Sequence, residues 1–426
     1  MKQNQNIAIL SIPVMVAALG YFVDIYDLLL FAFIRISSLT SLGFTQDQSV
    51  NIGLNIISYQ MVGLLLGGIL WGVIGDKRGR MSVLFGSIIM YSIANIANGF
   101  AHDIFQYKAC RFIAGIGLAG ELGAGVTLVC ELIAKEKRGY ATSFIAGVGL
   151  TGAILAYFIS KAFDWRICYF IGGGLGFLLL MLRLGVYESG MFSMERKEKI
   201  PHGNFFMFFT NYDRFKRYIL GIMIGLPTWY IMGILVQISD KFGKQFGIKE
   251  KIMPGKVMVY MYIAISIADF LSGLLSQALK SRKKALYIYY VIMILGVILY
   301  FTQYNGSVRG MYVICIIMGI GTGFWALFVT IAAEQFGTNL RATATTTTPN
   351  MVRGSLVLIA LLFEYLETHF SFIASGAITG VIVLLLGCFA LLKAEETFGK
   401  ESPGRKKPTN KPVSAKTINI TTYNPP

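Results

Sequence analysis

Charge and histidine are scarce in this sequence. Only 14% of its 426 residues are Asp, Glu, Lys or Arg, against about a quarter in soluble domains. The three histidines, His102, His202 and His369, all lie near predicted loops, and no Ser/His/Asp or metal-ligand spacing is present. The sequence therefore argues against a soluble domain and against an enzyme. We expect neither a metal nor another cofactor.

Paired cysteines are missing as well. The cysteines lie far apart, mostly inside apolar segments, and no two form a CxxC or Cys/His spacing. They are Cys110, Cys130, Cys168, Cys315 and Cys388. This pattern indicates neither a disulfide framework nor a structural zinc site.

Apolar residues make up most of what is present. They account for 55% of the chain, and the mean hydropathy is +0.63. This composition predicts an integral membrane protein in contact with a lipid bilayer. The first apolar run begins near Ile7 and continues past Phe33 without a small-residue cleavage site. We therefore interpret it as a first spanning helix and not as a removed signal peptide.

The apolar runs predict an all-α membrane protein with twelve transmembrane helices. Each run is long enough to cross the hydrocarbon layer as a helix. An even number of spans returns both termini to one side of the membrane. The predicted spans cover residues 9–34, 52–75, 82–101, 105–133, 140–160, 167–186, 217–239, 256–279, 285–303, 308–333, 342–366 and 371–393.

The distribution of cations predicts the orientation. The net charge is +16, from 38 Lys plus Arg and 22 Asp plus Glu, and the cations concentrate in alternate loops. The positive-inside rule explains such loops as cytoplasmic, so no nucleic-acid partner is expected. We predict a plasma (inner) membrane protein with both termini in the cytoplasm. The predicted outer link 240–255 disagrees, because its four lysines face only Asp240 and Glu250.

The longest polar interruption divides the spans six and six. It predicts an N-terminal bundle over 1–186, a cytoplasmic central loop over 187–216, a C-terminal bundle over 217–394 and a disordered cytoplasmic tail over 395–426. Repeats relate the halves. Glu131 stands seven residues before Arg138, as Glu334 stands seven residues before Arg341. The two six-helix bundles are thus predicted to be pseudo-symmetric.

A charged, glycine-rich segment, Gly72 to Arg80, separates the second and third spans. Its glycines let two helix ends approach closely, and Asp76 can serve a neighbouring helix end or pair with a nearby cation. This composition suits a latch that opens. It suits equally a topological loop whose charges face water. A degenerate repeat of this segment occurs in the second half, where Gln277 occupies the position of the acid.

Two carboxylates, Asp24 and Asp27, lie inside the first predicted span. Ionisable groups are costly in a membrane helix, so a functional or cavity-facing role is expected. Helical rise places Asp27 about 10 Å from the outer end of its span, and Arg111 of the fourth span at a similar depth, so the two can pair. An acid that exchanges partners is what a proton-coupled carrier needs. The alternative is a static ion pair that fixes the two helices.

The fourth span contains a GxGxxG spacing from Gly115 to Gly120. It is embedded in a continuous apolar helix and not in a βαβ unit. We therefore expect close helix packing there and not a dinucleotide site.

The second half places an acid and a base near mid-span, Asp269 and Arg353. They either neutralise each other or leave Arg353, with Asn350 and the threonines at 345–348, to bind an anionic substrate. Pro349 is expected to break the eleventh helix at this depth.

The seventh span carries aromatic and amide side chains, including Tyr230 and Gln237. They would form one wall of a substrate site. Lipid or core contacts are the alternative, because aromatic residues at helical spacing commonly serve packing.

The segment from Gly72 to Arg80 resembles the signature loop between the second and third helices of the major facilitator superfamily, with Met81 where the last cation usually stands. Gly20, Asp24, Tyr26 and Asp27 resemble the start of the metabolite:proton symporter branch of that superfamily.

Later segments carry the same resemblance. The run from Glu334 to Thr343 is similar to the segment that follows the tenth helix in the symporter branch, with Gly337 in place of the usual Pro. The loop endings Glu188-Ser189 and Glu396-Thr397 are similar to those of sugar porters. The seventh span, however, lacks the paired glutamines and Asn of a hexose site.

The resemblance implies transport of a small polar metabolite, such as an organic acid, osmolyte or sugar, through a central cavity by alternating access with proton symport. It implies proton coupling by Arg111 with Asp24 and Asp27, and marks Glu121 as a second intramembrane acid. We expect a functional monomer driven by the proton gradient. A proton-driven efflux pump for hydrophobic compounds is the alternative.

The expected site residues fall into two groups. The expected substrate contacts are Tyr230, Gln237, Asn350 and Arg353. The expected latch residues are Gly72, Asp76, Arg80, Glu131, Arg138, Glu334 and Arg341.

Overall fold

The computed structural model describes residues 11–133, 138–188, 205–337 and 340–399. These ranges contain twelve helices that are long and apolar enough to cross a membrane, as predicted. We number them α1 (Ile12–Ser41), α2 (Ile52–Arg78), α3 (Arg80–Gly99), α4 (Ile104–Val129), α5 (Gly139–Ala162), α6 (Trp165–Gly185), α7 (Tyr212–Val236), α8 (Pro254–Ala278), α9 (Arg282–Thr302), α10 (Val308–Gln335), α11 (Arg341–Glu367) and α12 (Phe372–Lys393).

Several helices begin at side chains that cap them. A side-chain oxygen at the N-cap accepts a hydrogen bond from a backbone N–H of the first turn, which satisfies a donor that has no partner inside the helix. Thr45 forms a capping box with Gln48, so the helix that contains α2 already begins at Gln46. Similar caps lie before α4, α9, α10 and α12, at Asp103, Ser281, Ser307 and Ser371. These polar starts keep the links between the spans short.

Interrupted helices occur at matching places in the two halves. The backbone of α4 breaks at 119–120 and that of α10 at 323–324. Thr151 interrupts α5, and Ser355 interrupts α11. Corresponding breaks in the fourth and tenth helices, and in the fifth and eleventh, support the predicted pseudo-symmetry.

The predicted break at Pro349 is wrong. The first segment of α11 continues through Pro349 to Gly354, and the interruption falls after it, at Ser355. Proline removes one backbone donor, but polar side chains can satisfy freed carbonyls inside a membrane protein. The carbonyl that Pro349 leaves without its helical donor is that of Thr345, and the adjacent Thr346 carbonyl accepts a hydrogen bond from the Asn350 side chain at 2.7 Å.

The helices form two six-helix bundles, α1–α6 and α7–α12. Between the bundles, α2 packs on α11 and α5 packs on α8, with further contacts of α4 on α11 and of α5 on α10. We call the end of the molecule at which Gly79 joins α2 to α3 the hinge side, and the opposite end the cavity side. Gly79 has a φ of +92°, a conformation that favours glycine, and so allows the sharp turn.

Most of the predicted central loop, and most of the predicted tail, fall outside the described residues. The described end of the loop forms a short 3-10 turn, Phe205–Phe208, and α7 begins at Tyr212, earlier than predicted. Phe208 stacks on Tyr218 of α7, with ring centroids 4.4 Å apart. This stacking packs the end of the loop against the second bundle on the hinge side.

Candidate functional site

A cavity of about 580 Å³ opens between the bundles on the cavity side. It is lined by α1, α2, α7, α8 and α11. Its wall is mostly apolar and aromatic, with Trp229 and Tyr262 among the lining residues. Polar side chains join the wall at Asn55, Ser58, Gln60 and Gln237, and charged ones at Lys241, Glu364 and Glu367. A mostly apolar cavity with a few polar groups is the usual form of a small-molecule site.

A smaller cavity, about 20 Å³, continues the large one towards the centre of the molecule. The two share Leu28, Trp229, Met232 and Tyr262 in their walls. The small cavity adds Thr228, Trp325 and Arg353. Arg353 is 2% exposed, and its guanidinium lies 5.8 Å from the centre of the Trp325 ring. A buried cation thus stands at the inner end of the pathway, beside an aromatic face.

Several polar atoms around these cavities have no hydrogen-bond partner among the described residues. They are Nε of Arg353, Nε1 of Trp325, Nε2 of Gln60 and Oγ1 of Thr228. The first three are donors that cannot accept a hydrogen bond. A buried polar group without a partner lowers stability by about 1–3 kcal/mol. These donors are therefore suited to bind a ligand that accepts hydrogen bonds.

The predicted pairing of Asp27 with Arg111 is present. Nη1 of Arg111 donates to Oδ1 of Asp27 at 3.3 Å, and both side chains are fully buried. Arg111 also donates to Asn95, and its guanidinium lies 4.6 Å from the centre of the Tyr169 ring. The ion pair therefore joins α1 to α4 inside the first bundle.

Asp24 differs from its neighbour, because its carboxylate has no hydrogen-bond partner within the described part of the chain. It is 0% exposed. It lies within electrostatic reach of Arg353, Glu121 and Asp27. Asp24 is thus the acid that stands between the ion pair of the first bundle and the cation of the cavity.

Glu121 forms a two-point ion pair with Arg183 of α6, whose guanidinium also donates to the Leu84 carbonyl at 3.0 Å. Both partners are buried. A Cβ atom at Gly20 would overlap the carboxylate and the guanidinium, so the glycine of α1 allows this pair to approach. Arg183 was not predicted as a site residue, although a lone arginine in an apolar span is itself a signal of a buried partner.

Asp76 joins the two bundles on the hinge side. Its carboxylate accepts hydrogen bonds from the backbone N–H groups of Ala342 and Thr343, at 3.1 and 2.9 Å, and from the Thr343 hydroxyl at 2.5 Å. A carboxylate of the first bundle thereby caps the start of α11 in the second. Gly72 permits this approach, because a Cβ atom there would lie 3.0 Å from the Thr343 Cα.

The other predicted latch residues are not all brought together. Arg80 lies 3.7 Å from Asp76 and donates to the Gly75 carbonyl at 2.9 Å. Glu334 instead forms an ion pair with Arg282 at 3.0 Å, within the second bundle. Nε of Arg341 donates to the Ala333 carbonyl at 3.1 Å. The side chains of Glu131 and Arg138 lie outside the described residues.

Two predicted substrate residues serve the packing of helices. Asn350 donates to the Ala119 carbonyl at 2.8 Å and so connects α11 to α4 across the bundles. The Tyr230 hydroxyl donates to the Gly376 carbonyl of α12 at 2.6 Å. Among the described residues, neither lines the two cavities, because these hydrogen bonds turn both side chains into helix interfaces. Gln237 does line the large cavity, and Arg353 lines the small one.

Asp269 neither pairs with Arg353 nor lines the two cavities in the described structure. Its Oδ1 accepts a hydrogen bond from the backbone N–H of Ala326 at 2.8 Å, and so caps the second segment of α10. Two of the threonines predicted beside the anion site, Thr345 and Thr347, bond elsewhere. The Thr345 hydroxyl lies 2.6 Å from that of Thr127 in α4. Arg353 donates through Nη1 to Oδ1 of Asn350 at 3.4 Å, and it lines the small cavity.

The family model of the Major Facilitator Superfamily matches residues 15–355. The chain belongs to the major facilitator superfamily. This facilitator is similar to a putative metabolite transport protein of Haemophilus influenzae, at 24% identity over 88% of this chain and 94% of that protein. It is equally similar, at 24% identity over 90% of this chain and 95% of the relative, to the putative niacin/nicotinamide transporter NiaP of Bacillus subtilis.

Solved structures show the same fold for this facilitator. The proton:xylose symporter XylE aligns with a TM-score of 0.69 over 91% of this chain and 96% of that chain, at 16% identity. The facilitator is therefore a multi-pass membrane transporter of small metabolites and not an enzyme. Its cavity residues Gln60, Thr228 and Trp325 were not predicted, because uncharged polar groups in an apolar span give only a weak sequence signal.

Proposed function

We propose that the protein imports a small organic acid with an aromatic or otherwise flat apolar body, together with protons. The supporting observation is the set of unpaired donors on Arg353, Trp325 and Gln60 around the two cavities. A carboxylate accepts hydrogen bonds, and its negative charge balances the positive charge of a buried guanidinium. The aromatic rings of Trp229, Tyr262 and Trp325 offer flat apolar surfaces beside these donors.

Protonation of Asp24 is expected to accompany substrate binding. An ionised Asp24 competes with a substrate carboxylate for the field of Arg353 and also repels that carboxylate. A protonated Asp24 does neither. Substrate anion and proton therefore favour each other in the site, which is the thermodynamic basis of symport.

The position of the closed end supports the proposed direction of transport. The hinge side carries the cations at the ends of α2, α9 and α11, so the positive-inside rule assigns it to the cytoplasm. The bundles are held together there by Asp76 and separated at the opposite end by the large cavity. We infer from this arrangement an outward-facing state, which takes substrate from outside the cell.

Ligand binding to purified protein tests the substrate class. We expect aromatic acids such as nicotinate to raise the unfolding temperature, because a ligand that binds only the folded protein stabilises it, while xylose and glycine betaine do not. Arg353→Gln should weaken nicotinate binding by about tenfold or more and nicotinamide binding by less than about twofold, since only the acid loses a charge-assisted contact. Equal losses for the two compounds would contradict an anion contact.

Transport in proteoliposomes tests the coupling. Asp27→Asn should abolish uphill uptake driven by a pH gradient and retain counterflow, because exchange of labelled for unlabelled substrate needs no net proton movement. Uphill uptake by the Asn variant would remove Asp27 from the coupling assignment. Extrusion of hydrophobic compounds from cells, with no acid uptake, would support an efflux pump instead.

A further inference from the structure

A row of buried polar side chains follows one face of α3 inside the first bundle. It consists of Ser87, Tyr91, Ser92, Asn95 and Asn98, spaced at helical intervals and all 0% exposed. We call these residues the α3 polar row. Each has at least one side-chain oxygen or nitrogen without a hydrogen-bond partner in the described ranges. Buried polar groups in proteins are satisfied by other groups or by ordered water, so such a row is suited to bind a file of water molecules.

Small residues of α6 let that helix pack closely against this row. A Cβ atom at Gly176 would overlap the Ser92 hydroxyl, and one at Gly172 would lie 3.6 Å from Nδ2 of Asn95. These glycines of α6 thus bring its backbone against the polar face of α3. This contact makes the row an internal feature of the first bundle.

The row connects two buried ion pairs at different depths. Asn95 accepts a hydrogen bond from Arg111, which pairs with Asp27. Nearer the hinge side, Glu121 pairs with Arg183. Arg111 and Glu121 are ten residues apart in α4, which corresponds to about 15 Å along the helix axis. Glu121 is then about 12 Å from the hinge-side end of α4 at Val129.

Tyr91 and Asp24 occupy the interval between the two pairs. Tyr91 lies within electrostatic reach of Asp24 and Asp27 on α1, Glu121 on α4 and Arg183 on α6. Its hydroxyl has no partner among the residues described. Asp24 is within reach of both Asp27 and Glu121. A hydroxyl that can accept one proton and donate its own is therefore electrostatically coupled to three carboxylates.

We infer that the α3 polar row is a proton relay inside the first bundle, which carries the coupled proton from Asp24 and Asp27 to Glu121 along a path separate from the substrate. This inference rests on the proposed proton symport. The protonated carboxyl of Asp24 gives its proton, through a bridging water, to the Tyr91 hydroxyl, while that hydroxyl passes its own proton, through a second bridging water, to the Glu121 carboxylate. One O–H bond forms for each one that breaks, Asp24 is left ionised, and Glu121 is left neutral beside Arg183.

The proton path and the substrate path are separate, which has a physical consequence. None of the row residues, as far as the structure describes them, lines the two cavities. A proton that leaves through the first bundle does not have to pass a substrate anion held by Arg353. Once Glu121 is neutral, Arg183 loses its ionic partner, so arrival of the proton on the hinge side changes the contact between α4 and α6.

Tyr91→Phe tests the relay, since it removes one oxygen and keeps the ring that packs in the bundle. In proteoliposomes we expect accumulation driven by a pH gradient, and substrate-dependent acidification of the lumen, to fall by about tenfold or more, with counterflow within about twofold of wild type. Glu121→Gln should show the same separation. It leaves Arg183 unpaired and can impair folding, so the Phe variant is the deciding one.

Tyr300→Phe is the matched control. Tyr300 is also 0% exposed, but it lies in the second bundle and its hydroxyl donates to the Leu235 carbonyl at 2.8 Å. Its loss should change accumulation and counterflow by the same factor. Wild-type accumulation by Tyr91→Phe would overturn the relay and leave symport standing, and so would a proportional loss of accumulation and counterflow. Absence of pH-driven accumulation in the wild type would overturn symport and relay together.

Discussion

Gly20 shows how one missing side chain organises a buried ion pair. It lies on α1 where Glu121 of α4 and Arg183 of α6 meet, and a Cβ atom there would overlap both charged groups. A buried pair is costly to break, because each separated charge is left without its partner in a medium of low dielectric constant. The close approach at Gly20 therefore holds three helices of the first bundle in register.

Gly20→Ala should destabilise the protein by about 3 kcal/mol, since the added methyl group displaces one partner of the pair. Gly125→Ala is a suitable control. It adds a methyl group to a buried glycine of α4 that also faces α1, but this Cβ would lie at 3.6 Å from the Cβ of Ala17, an ordinary contact. Thermal unfolding in detergent measures both. Equal unfolding temperatures for the two variants would contradict the role assigned to Gly20.

At the scale of single residues, the sequence predicted charged positions better than their partners. Asp24, Asp27, Arg111 and Glu121 were visible because charge is expensive inside an apolar span. The partner of Glu121 was not, because pairing depends on how neighbouring helices rotate. Asn350 was placed at the substrate site by its nearness in sequence to Arg353, yet its side chain turns towards α4.

At the scale of helices, three starts are capped by carboxylates from other elements. Asp76 caps α11, Asp269 caps the second segment of α10, and Glu396 accepts hydrogen bonds from the N–H groups of Arg282 and Lys283 at the start of α9. The helix dipole and the unpaired N–H groups favour an anion at each place. The length of the apolar runs indicated the helices. N-caps supplied by residues distant in sequence could not be predicted, because they produce no local sequence pattern.

Glu396 gives a prediction for pH. Burial raises the pKa of its carboxyl, but hydrogen bonds from the Ser281 hydroxyl and from backbone N–H groups outweigh burial and hold the pKa below its ordinary value. A carboxyl with a depressed folded pKa stabilises the protein above the unfolded pKa, about 4.3 for Glu, and loses that contribution as pH falls through the folded value.

The unfolding temperature of Glu396→Gln should therefore lie below that of the wild type near neutral pH, and the difference should shrink as pH falls below about 4.3. Glu395→Gln, at the exposed neighbouring position, is the control and should follow the wild type throughout. A difference between Glu396→Gln and wild type that is constant with pH would contradict the cap.

At the scale of the whole molecule, the two halves are symmetric in fold but not in the contacts that close them. Asp76 caps α11 across the bundle interface. At the equivalent place in the other half, Gln277 faces the start of α5, where a Cβ at Gly139 would lie 2.6 Å from the Gln277 amide nitrogen. An amide lacks the charge that makes a carboxylate the stronger cap. The sequence predicted this substitution, and only the structure showed which helix start each side chain meets.

This asymmetry predicts opposite effects of removing the negative charge at Asp76 and of introducing one at Gln277. Asp76→Asn should weaken hydrogen bonds that contribute about 1.5–3 kcal/mol each and favour the state open on the hinge side. Gln277→Glu should favour the hinge-closed state. In a variant whose five native cysteines are replaced, alkylation of a cysteine placed at Ser58, in the wall of the large cavity, reports the population that is open on the cavity side. The ratio of cavity-open to cavity-closed protein should fall by about tenfold in Asp76→Asn, which corresponds to about 1.4 kcal/mol, and should not fall in Gln277→Glu. Wild-type labelling of Asp76→Asn would mean that the threonine contacts of α11 hold the bundles together without it.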